Sequence, residues 1–292
     1  MKAYVFPGQG SQFPGMGREL YEQDKEAKAL FERANEVLGF RITDIMFGED
    51  AEALKATRVT QPAVFIHSVI TALRSGLPAP GCVAGHSLGE FSALVVCGAL
   101  DFENALKLVL ERAEAMQEAC EAVPGMMAAV LGGDTKMIEE VCTANPGIVV
   151  LANYNSDLQS VISGEEKAVM EVCAEVKARG AKKAVPLQVG GAFHSPLMEP
   201  ARVRLAEAIS RTPFHTPLCP VYQNVDAAPH TDPAEIRERL LMQLTAPVRW
   251  TETVRRMVAD GADDFLEIGP GKVLQGLVAK ICPEVKVAGT SN

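Results

Sequence analysis

The chain has 292 residues, of which 48% are hydrophobic, so it can bury a full core without disulfides or metal ions. Its net charge of −9 argues against nucleic-acid binding, because proteins of that class concentrate positive charge to displace counterions from phosphates. No stretch approaches the roughly 18 apolar residues of a membrane span, and the N-terminus lacks the apolar region of a secretion signal. The seven cysteines form no CxxC pair, which favours reduced core thiols over a disulfide or zinc framework. We therefore expect a cytoplasmic protein with no nucleic-acid, membrane or metal partner.

Short apolar runs bounded by Gly, Pro or Asn alternate with longer helix-like segments along the chain. This alternation predicts an α/β architecture with a mainly parallel sheet, whose strands lie at 3–6, 82–84, 219–222 and 265–268. The middle of the chain has a different order, strand–helix–strand–strand–helix–strand, with helices at 135–144 and 165–179. That order is typical of a ferredoxin-like sheet. We therefore expect an inserted subdomain over 124–189, and a larger subdomain formed by 1–123 and 190–292.

The stretch VAGHSLGEFSAL (83–94) sets Ser87 between two glycines at the end of a predicted strand. G-x-S-x-G is the pattern of a nucleophile elbow, a sharp strand-to-helix turn in which Gly85 and Gly89 leave room for closely packed backbone. Ser87 followed three residues later by Glu90 also fits a capping box, which needs no catalysis. The pattern alone leaves both interpretations open.

A serine hydroxyl is a weak nucleophile until a base accepts its proton, so a catalytic Ser87 needs a histidine. His194 is the strongest candidate, because two glycines precede it and Ser195 and Pro196 have the preferences of a helix start. Its ring is therefore expected at the mouth of a helix, beside a flexible turn. His215 and His230 lie in proline-rich loops and are expected to be solvated. An ordinary loop histidine remains the alternative for His194.

Arg112 falls near the centre of the apolar face of the helix predicted over 103–120. A buried guanidinium is unfavourable by several kcal/mol unless an anion or hydrogen-bond acceptors meet it. The partner is either an internal acid or carbonyl group, or a substrate carboxylate held through two parallel hydrogen bonds. Helix geometry does not decide between them.

Several motifs taken together resemble the malonyl-CoA:acyl carrier protein transacylases, in which they occur in the same order. The resemblance extends from residue 3 to about residue 280 and is strongest to the free-standing enzymes of bacterial fatty acid synthesis. The matching segments are FPGQGSQ (6–12), TQPA (60–63), GHSLGEFSAL (85–94), Arg112 with Met116, NYNS (153–156), GGAFHSPLM (190–198), QLTAPVRW (243–250) and EIGPGKVL (267–274).

The resemblance implies an α/β-hydrolase-like larger subdomain that carries a ferredoxin-like insert. It also implies that Ser87 is the nucleophile and His194 its general base and acid. The backbone amides of Gln9 and Leu88 would form the oxyanion hole, and Arg112 would bind the free malonyl carboxylate.

Three further roles follow from the same resemblance. A backbone carbonyl at Gln243 would orient the histidine in place of a triad acid, and Met116 would contribute to substrate binding. Phe193 would narrow the pocket where a methyl branch on the malonyl group projects, which predicts a preference for malonyl over methylmalonyl of roughly 1–3 kcal/mol. No metal or dissociable cofactor is expected.

The expected reaction is ping-pong transfer of malonyl from malonyl-CoA to the phosphopantetheine thiol of an acyl carrier protein. Since carrier protein and chain are both acidic, docking requires a local basic patch, for which Lys182 with Lys183, Arg249, Arg255 and Arg256 are candidates. Three alternatives stay open: an acyltransferase that serves a polyketide assembly line, a serine esterase or acyl-CoA thioesterase, and a non-catalytic scaffold.

Overall fold

The computed structural model of the chain describes residues 1–290, which form two β-sheets and a set of helices around them. The strands are β1 Lys2–Phe6, β2 Cys82–Gly85, β3 Met126–Leu131, β4 Val149–Ser156, β5 Gln159–Gly164, β6 Lys183–Pro186, β7 Val221–Tyr222, β8 Pro229–His230, β9 Asp264–Glu267 and β10 Lys286–Gly289. The helices are α1 Arg18–Gln23, α2 Lys25–Leu38, α3 Ile42–Met46, α4 Thr57–Arg74, α5 Gly89–Val96, α6 Phe102–Ala122, α7 Thr135–Ala144, α8 Glu166–Ala178, α9 Glu199–Arg211, α10 Pro233–Met242, α11 Trp250–Ala259 and α12 Val273–Ile281, with a 3₁₀ turn at Pro196–Met198.

The larger sheet has six strands in the order β10-β9-β1-β2-β7-β8, and all of its pairs are parallel except β7 with β8. The predicted mainly parallel sheet is thus confirmed. Alternate side chains of β1 enter different cores: Tyr4 and Phe6 pack on one side of the sheet, and Ala3 and Val5 on the other. Helices cover both faces, as parallel sheets require.

Two strands of this sheet were not predicted. The strand β8 has two residues, one of them Pro229, and β10 (KVAG) is exposed at alternate positions, so neither has an apolar run. Both lie at the edges of the sheet, where each forms backbone hydrogen bonds with one neighbouring strand only.

The smaller sheet is antiparallel, with the order β4-β5-β3-β6. Its strands and helices follow one another as β3, α7, β4, β5, α8, β6, which is the predicted order, and α7 has the predicted bounds. Apolar side chains of α7 and α8 pack with one face of this sheet into a separate core. The other face, which includes Met127 and Val161, borders a cavity shared with the larger sheet.

All seven cysteines are free and buried, as the core-thiol prediction required. Within residues 1–290, no helix has both the length and the apolar character needed to cross a membrane. Nor does this part of the chain bring three or more His, Cys, Asp or Glu side chains together in a way that could hold a metal ion.

Candidate active site

Ser87 lies on the sharp turn between β2 and α5, in a left-handed backbone conformation with φ 53°. The turn is tight enough to require glycine on both sides. A Cβ at Gly85 would lie 1.9 Å from the Gly89 carbonyl carbon, and a Cβ at Gly89 would lie 2.1 Å from the Phe6 carbonyl oxygen. A strained φ at a residue without a special side chain persists only where its surroundings hold it, and such residues cluster at functional sites.

The capping-box interpretation of Ser87 is wrong. Helix α5 begins at Gly89, and its N-cap residue, Leu88, makes no side-chain cap hydrogen bond. The Ser87 hydroxyl accepts from no first-turn amide within the described residues, and its left-handed backbone differs from the extended form typical of a capping serine. The Ser87 Oγ instead contacts His194 Nε2 at 2.8 Å, and the Glu90 side chain points into the protein.

His194 is buried, with 4% of its surface exposed, and it also has a left-handed φ of 56°. Its Nδ1 lies 2.9 Å from the Gln243 backbone oxygen and 3.2 Å from that of Ala246. Because carbonyls only accept hydrogen bonds, Nδ1 carries the proton and Nε2 is left as an acceptor facing Ser87. Burial, and then the charge of Arg112, lower the pKa of His194 to about 3, so the imidazole stays neutral and able to take a proton.

The helix predicted after His194 begins as expected but in a different form. Ser195 Oγ accepts from the Leu197 N–H at 3.2 Å, and Pro196 occupies the first position. The first turn is 3₁₀, and α9 follows it. The prediction that His230 is solvated is wrong, because β8 buries its ring between carboxylates of the neighbouring loop and α10.

Arg112 is 1% exposed on α6 and is held by neutral oxygens. Its Nη1 donates to Gln61 Oε1, and its Nη2 donates to Ser87 Oγ at 3.0 Å and to Gln243 Oε1 at 3.2 Å. The Phe91 ring lies 5.7 Å from its Cζ. Burial lowers the pKa of the guanidinium to about 10, although the nearby Glu90 carboxyl opposes the shift. No carboxylate of residues 1–290 forms an ion pair with Arg112. The positive charge beside Ser87 is therefore not neutralised by a directly contacting anion in this part of the chain.

Gln9 and Leu88 line the same cavity as Ser87. Gln9 follows β1, and the preceding Gly8 approaches the elbow so closely that a Cβ there would lie 2.5 Å from the His86 oxygen. Within the described residues, neither amide N–H has an acceptor, and both residues line the cavity. Two free N–H groups beside a serine are the geometry needed to hold an oxyanion.

A cavity of about 230 Å³ lies between the two sheets and contains the Ser87 hydroxyl. Met116 and Phe193 form part of its wall, and Met116 Sδ accepts from Gln61 Nε2 at 3.4 Å. The remaining wall includes, from the larger body, Ser11, His86, Val273, Leu274 and Leu277 and, from the smaller sheet and its end, Met127, Asn153, Asn155, Gln159, Val161, Leu187 and Val189. The structure thus brings all eight residues proposed from the sequence to one place.

Sequence reasoning missed several buried polar groups around these residues. Asn224 Oδ1 accepts from the Ser87 N–H and its Nδ2 donates to the Gly85 oxygen, each at 2.7 Å, so it clamps the elbow. Glu90 and the side chain of Gln243 form a second set of contacts behind Ser87. Burial raises the pKa of the Glu90 carboxyl to about 7, against the opposing effect of its hydrogen bonds. The capping-box pattern drew attention to Glu90 for a different reason, and no local pattern indicates Asn224.

Taken together, a strained serine, a neutral histidine, two free amides and an arginine define a serine-dependent acyl-transfer or ester-cleaving site on an α/β fold. A family model described as "Acyl transferase domain" matches residues 3–289. A malonyl CoA-acyl carrier protein transacylase of Bacillus subtilis is 45% identical, and the alignment covers 99% of this chain and 93% of that protein.

Solved structures agree with these matches. An acyl carrier protein S-malonyltransferase from Vibrio cholerae superposes with a TM-score of 0.94 at 41% identity, covering 99% of this chain and 96% of that one. A type II PKS acyl-carrier protein in complex with its malonyl-transacylase contains a chain of 40% identity and TM-score 0.93, with 100% and 95% covered. The chain therefore belongs to the acyl transferase family, among the malonyl CoA-acyl carrier protein transacylases.

Proposed function

We propose that this protein transfers the malonyl group of malonyl-CoA to the phosphopantetheine thiol of an acyl carrier protein, supplying fatty acid synthesis. The observation behind this proposal is that Ser87 Oγ lies 2.8 Å from His194 Nε2 and 3.0 Å from Arg112 Nη2. A base and a cation suited to a substrate carboxylate therefore both contact the oxygen of the nucleophile. The identity of the two substrates is inferred from the names of the relatives reported above.

In the first half-reaction, His194 Nε2 takes the proton of Ser87 as its oxygen attacks the thioester carbon of malonyl-CoA. The amides of Gln9 and Leu88 hold the oxyanion of the tetrahedral intermediate. The intermediate collapses, the carbon–sulfur bond breaks, and coenzyme A leaves with the proton returned by His194. A malonyl ester of Ser87 remains.

In the second half-reaction, the carrier protein's thiol gives its proton to His194 and attacks the ester. The Ser87 oxygen leaves and recovers a proton from the imidazolium, while the malonyl group is now a thioester of the carrier protein. The Gln243 and Ala246 carbonyls stabilise the imidazolium that forms in each half-reaction through its Nδ1–H.

Arg112 gives the site its preference for a dicarboxylic acyl group. Its Nη2 already lies next to the acylated oxygen, and a malonyl chain is short enough for its free carboxylate to meet the same guanidinium. This contact favours transfer over simple esterase or thioesterase chemistry, because an esterase has no need of a buried cation beside its nucleophile.

We also propose that residues 1–123 and 190–292, of which 291 and 292 lie outside the described residues, form an α/β-hydrolase-like subdomain, and that 124–189 form a ferredoxin-like one. The elbow at the carboxyl end of β2, an interior strand of a mainly parallel sheet, supports the first assignment. The β4-β5-β3-β6 order of the antiparallel sheet supports the second. The cavity between them is the substrate site.

For carrier-protein docking, we propose the Lys182–Lys183 pair. Arg249, Arg255 and Arg256 each form an ion pair with a carboxylate of this chain, whereas neither lysine does among the described residues. Lys183 begins β6, and the cavity-lining Leu187 directly follows the other end of this strand, so one short strand connects the pair to the cavity wall.

A second candidate pathway has one observation in its favour. The solved complex noted above contains a type II PKS carrier protein, so a polyketide carrier is an alternative acceptor for this chain. Comparing KM for a fatty acid carrier protein and a polyketide carrier protein under the same conditions separates the two.

The reaction is tested by mass spectrometry of the intact chain after mixing with malonyl-CoA. We expect a mass increase of one malonyl group that maps to Ser87, is absent in Ser87→Ala, and disappears when carrier protein bearing its phosphopantetheine arm is added. A wild-type chain that stays unmodified supports the scaffold alternative. A label lost to water as fast as to carrier protein supports the thioesterase alternative.

A further inference from the structure

A buried carboxyl group stands behind Ser87 and takes no part in the mechanism above. Glu90, on the first turn of α5, is 1% exposed. Its Oε2 accepts from Gln243 Nε2 and, at 3.4 Å, from the Asn224 backbone N–H. A carboxyl group removed from water is unfavourable unless specific contacts compensate it, so this residue and its contacts need a physical reason.

Gln243 connects Glu90 to the reacting groups. Besides its contact with Glu90, its Nε2 donates to the Ser87 backbone oxygen at 3.0 Å. Its Oε1 accepts from Arg112 Nη2 at 3.2 Å, and its backbone oxygen accepts from His194 Nδ1 at 2.9 Å. One fully buried residue therefore contacts the elbow, the cation and the base.

The two ends of the Gln243 amide are not equivalent, and the groups that face them set its direction. Arg112 can only donate hydrogen bonds, so it requires the amide oxygen. Glu90 Oε2 is an acceptor, so it requires the amide nitrogen. With both in place, a single orientation of the side chain satisfies both. Without Glu90, the amide nitrogen keeps the Ser87 backbone oxygen at 3.0 Å and a longer contact with Asn224 Oδ1 at 3.5 Å. Both are weaker acceptors than a carboxylate, so the side chain is held less firmly against Arg112.

We infer that Glu90 is a positioning residue, which fixes the side-chain amide of Gln243 and thereby holds Arg112 and His194 in one arrangement around Ser87. The same buried contact then sets both the recognition of the acyl carboxylate and the approach of the base. The part concerning Arg112 rests on the proposed function, whereas the part concerning His194 holds for any reagent that attacks Ser87.

The test uses three single variants of the full chain and one double variant, Glu90→Leu/Gln243→Leu. Glu90→Gln keeps an acceptor oxygen of the same size and removes the charge. Glu90→Leu removes the acceptor while nearly keeping the volume. Gln243→Leu removes the amide and retains the backbone carbonyl that holds His194. Two rates are measured for each variant: malonylation of Ser87 by malonyl-CoA, and sulfonylation of Ser87 by phenylmethanesulfonyl fluoride, which needs no carboxylate contact.

We expect Glu90→Leu to slow both rates by about tenfold or more, because a small displacement of the base is enough for such a loss. Glu90→Gln should restore them to within about threefold of wild type, since its amide oxygen can still accept from Gln243. The Glu90→Leu/Gln243→Leu double variant should be as slow as Gln243→Leu alone, because the two residues act through one contact. Multiplicative losses in the double variant would overturn the inference, as would wild-type rates in Glu90→Leu.

Glu267→Gln is the matched control for the loss of a buried carboxylate. Glu267 is also 1% exposed, but it accepts from the N–H groups of Leu274 and Gln275 and does not contact Gln243. Its substitution should lower the melting temperature while the sulfonylation rate stays within about twofold of wild type. If Glu90→Leu does not fold, Glu90→Met takes its place in the comparison of single and double variants, because methionine is similar in volume and more flexible. If malonyl-CoA leaves the wild type unmodified, the proposed function fails. The sulfonylation rates of the same variants still test whether Glu90 positions His194.

Discussion

Replacing Arg112 by methionine tests whether its buried charge recognises the acyl carboxylate. Arg112→Met removes the guanidinium and keeps an unbranched side chain in the apolar surroundings of α6. A hydrogen bond to a charged group contributes about 1.5–3 kcal/mol, so two parallel bonds to a carboxylate are worth roughly 3–6 kcal/mol. Because Nη2 already donates to Ser87 Oγ and Gln243 Oε1, binding exchanges existing contacts, and we expect the lower end of this range.

At about 1.4 kcal/mol for each factor of ten, this loss corresponds to a fall of roughly 100-fold in kcat/KM with malonyl-CoA. Acetyl-CoA has no carboxylate for Arg112 to bind. In addition, the charge of Arg112 lowers the pKa of His194, so its removal makes the base stronger. Acetyl transfer should therefore be unchanged or faster in the variant.

The assay compares kcat/KM for malonyl-CoA and acetyl-CoA in the same preparation, so that any shared damage to the fold cancels in the ratio. Arg204→Met is the matched control: Arg204 lies on α9 and pairs with Glu111 on the outer side of α6, so its loss should leave the ratio unchanged. An equal fall with both acyl donors would refute carboxylate recognition and leave Arg112 as a structural cation.

Three further outcomes are expected. Phe193→Ala should raise the relative kcat/KM for methylmalonyl-CoA by roughly tenfold, since a filled pocket discriminates by about 1–3 kcal/mol; an unchanged ratio would place the methyl branch elsewhere. Reversing charge at Lys182 and Lys183 should raise the KM for carrier protein and leave malonylation by malonyl-CoA intact, whereas the ion-paired Arg255→Glu should have little effect on that KM. His194→Asn should lessen the loss of stability on acidification. Folding lowers the pKa of His194 from 6.5 to about 3, so the unfolded chain binds an extra proton below pH 6.5, and urea unfolding of the wild type should lose roughly 2 kcal/mol more than the variant between pH 7 and pH 5.

The features that could be predicted from the sequence are those set by neighbouring residues. The bounds of α7 and the strand–helix order of the smaller sheet follow from apolar periodicity over a few residues, and the structure has them as expected. The elbow is predictable for the same reason, because the close approach of Gly85 to Gly89 involves residues four positions apart. Its alternative, the capping box, is equally local, and the two are separated by the left-handed φ of Ser87 and by the start of α5 at Gly89.

The site depends on contacts between distant parts of the chain, and periodicity contains no information about these. Ser87 and His194 are separated by 107 positions, and only the resemblance to a family placed them together in advance. Arg112 on an apolar face indicated that buried acceptors must exist, but not that they would be Gln61, Ser87 and Gln243. In the same way, tertiary packing buries His230, although its proline-rich surroundings are typical of an exposed loop.

The proposed role of Arg112 gives a physical reason for backbone carbonyls in place of a triad carboxylate. The Gln243 and Ala246 carbonyls hold His194 Nδ1 on the side of the ring away from Ser87, and Ser87 Oγ in turn contacts Arg112. A carboxylate in their place would stand one imidazole away from the serine and close to a guanidinium that lacks an ion pair. In a buried site the two charges would attract strongly, and the carboxylate would compete with the substrate for the cation. Carbonyl dipoles fix the same tautomer of His194 without that competition. Within residues 1–290, the nearby Glu90 carboxyl makes no hydrogen bond to Arg112, and the amide of Gln243 lies between the two. A dyad would therefore keep Arg112 available for the acyl carboxylate that the proposed function assigns to it.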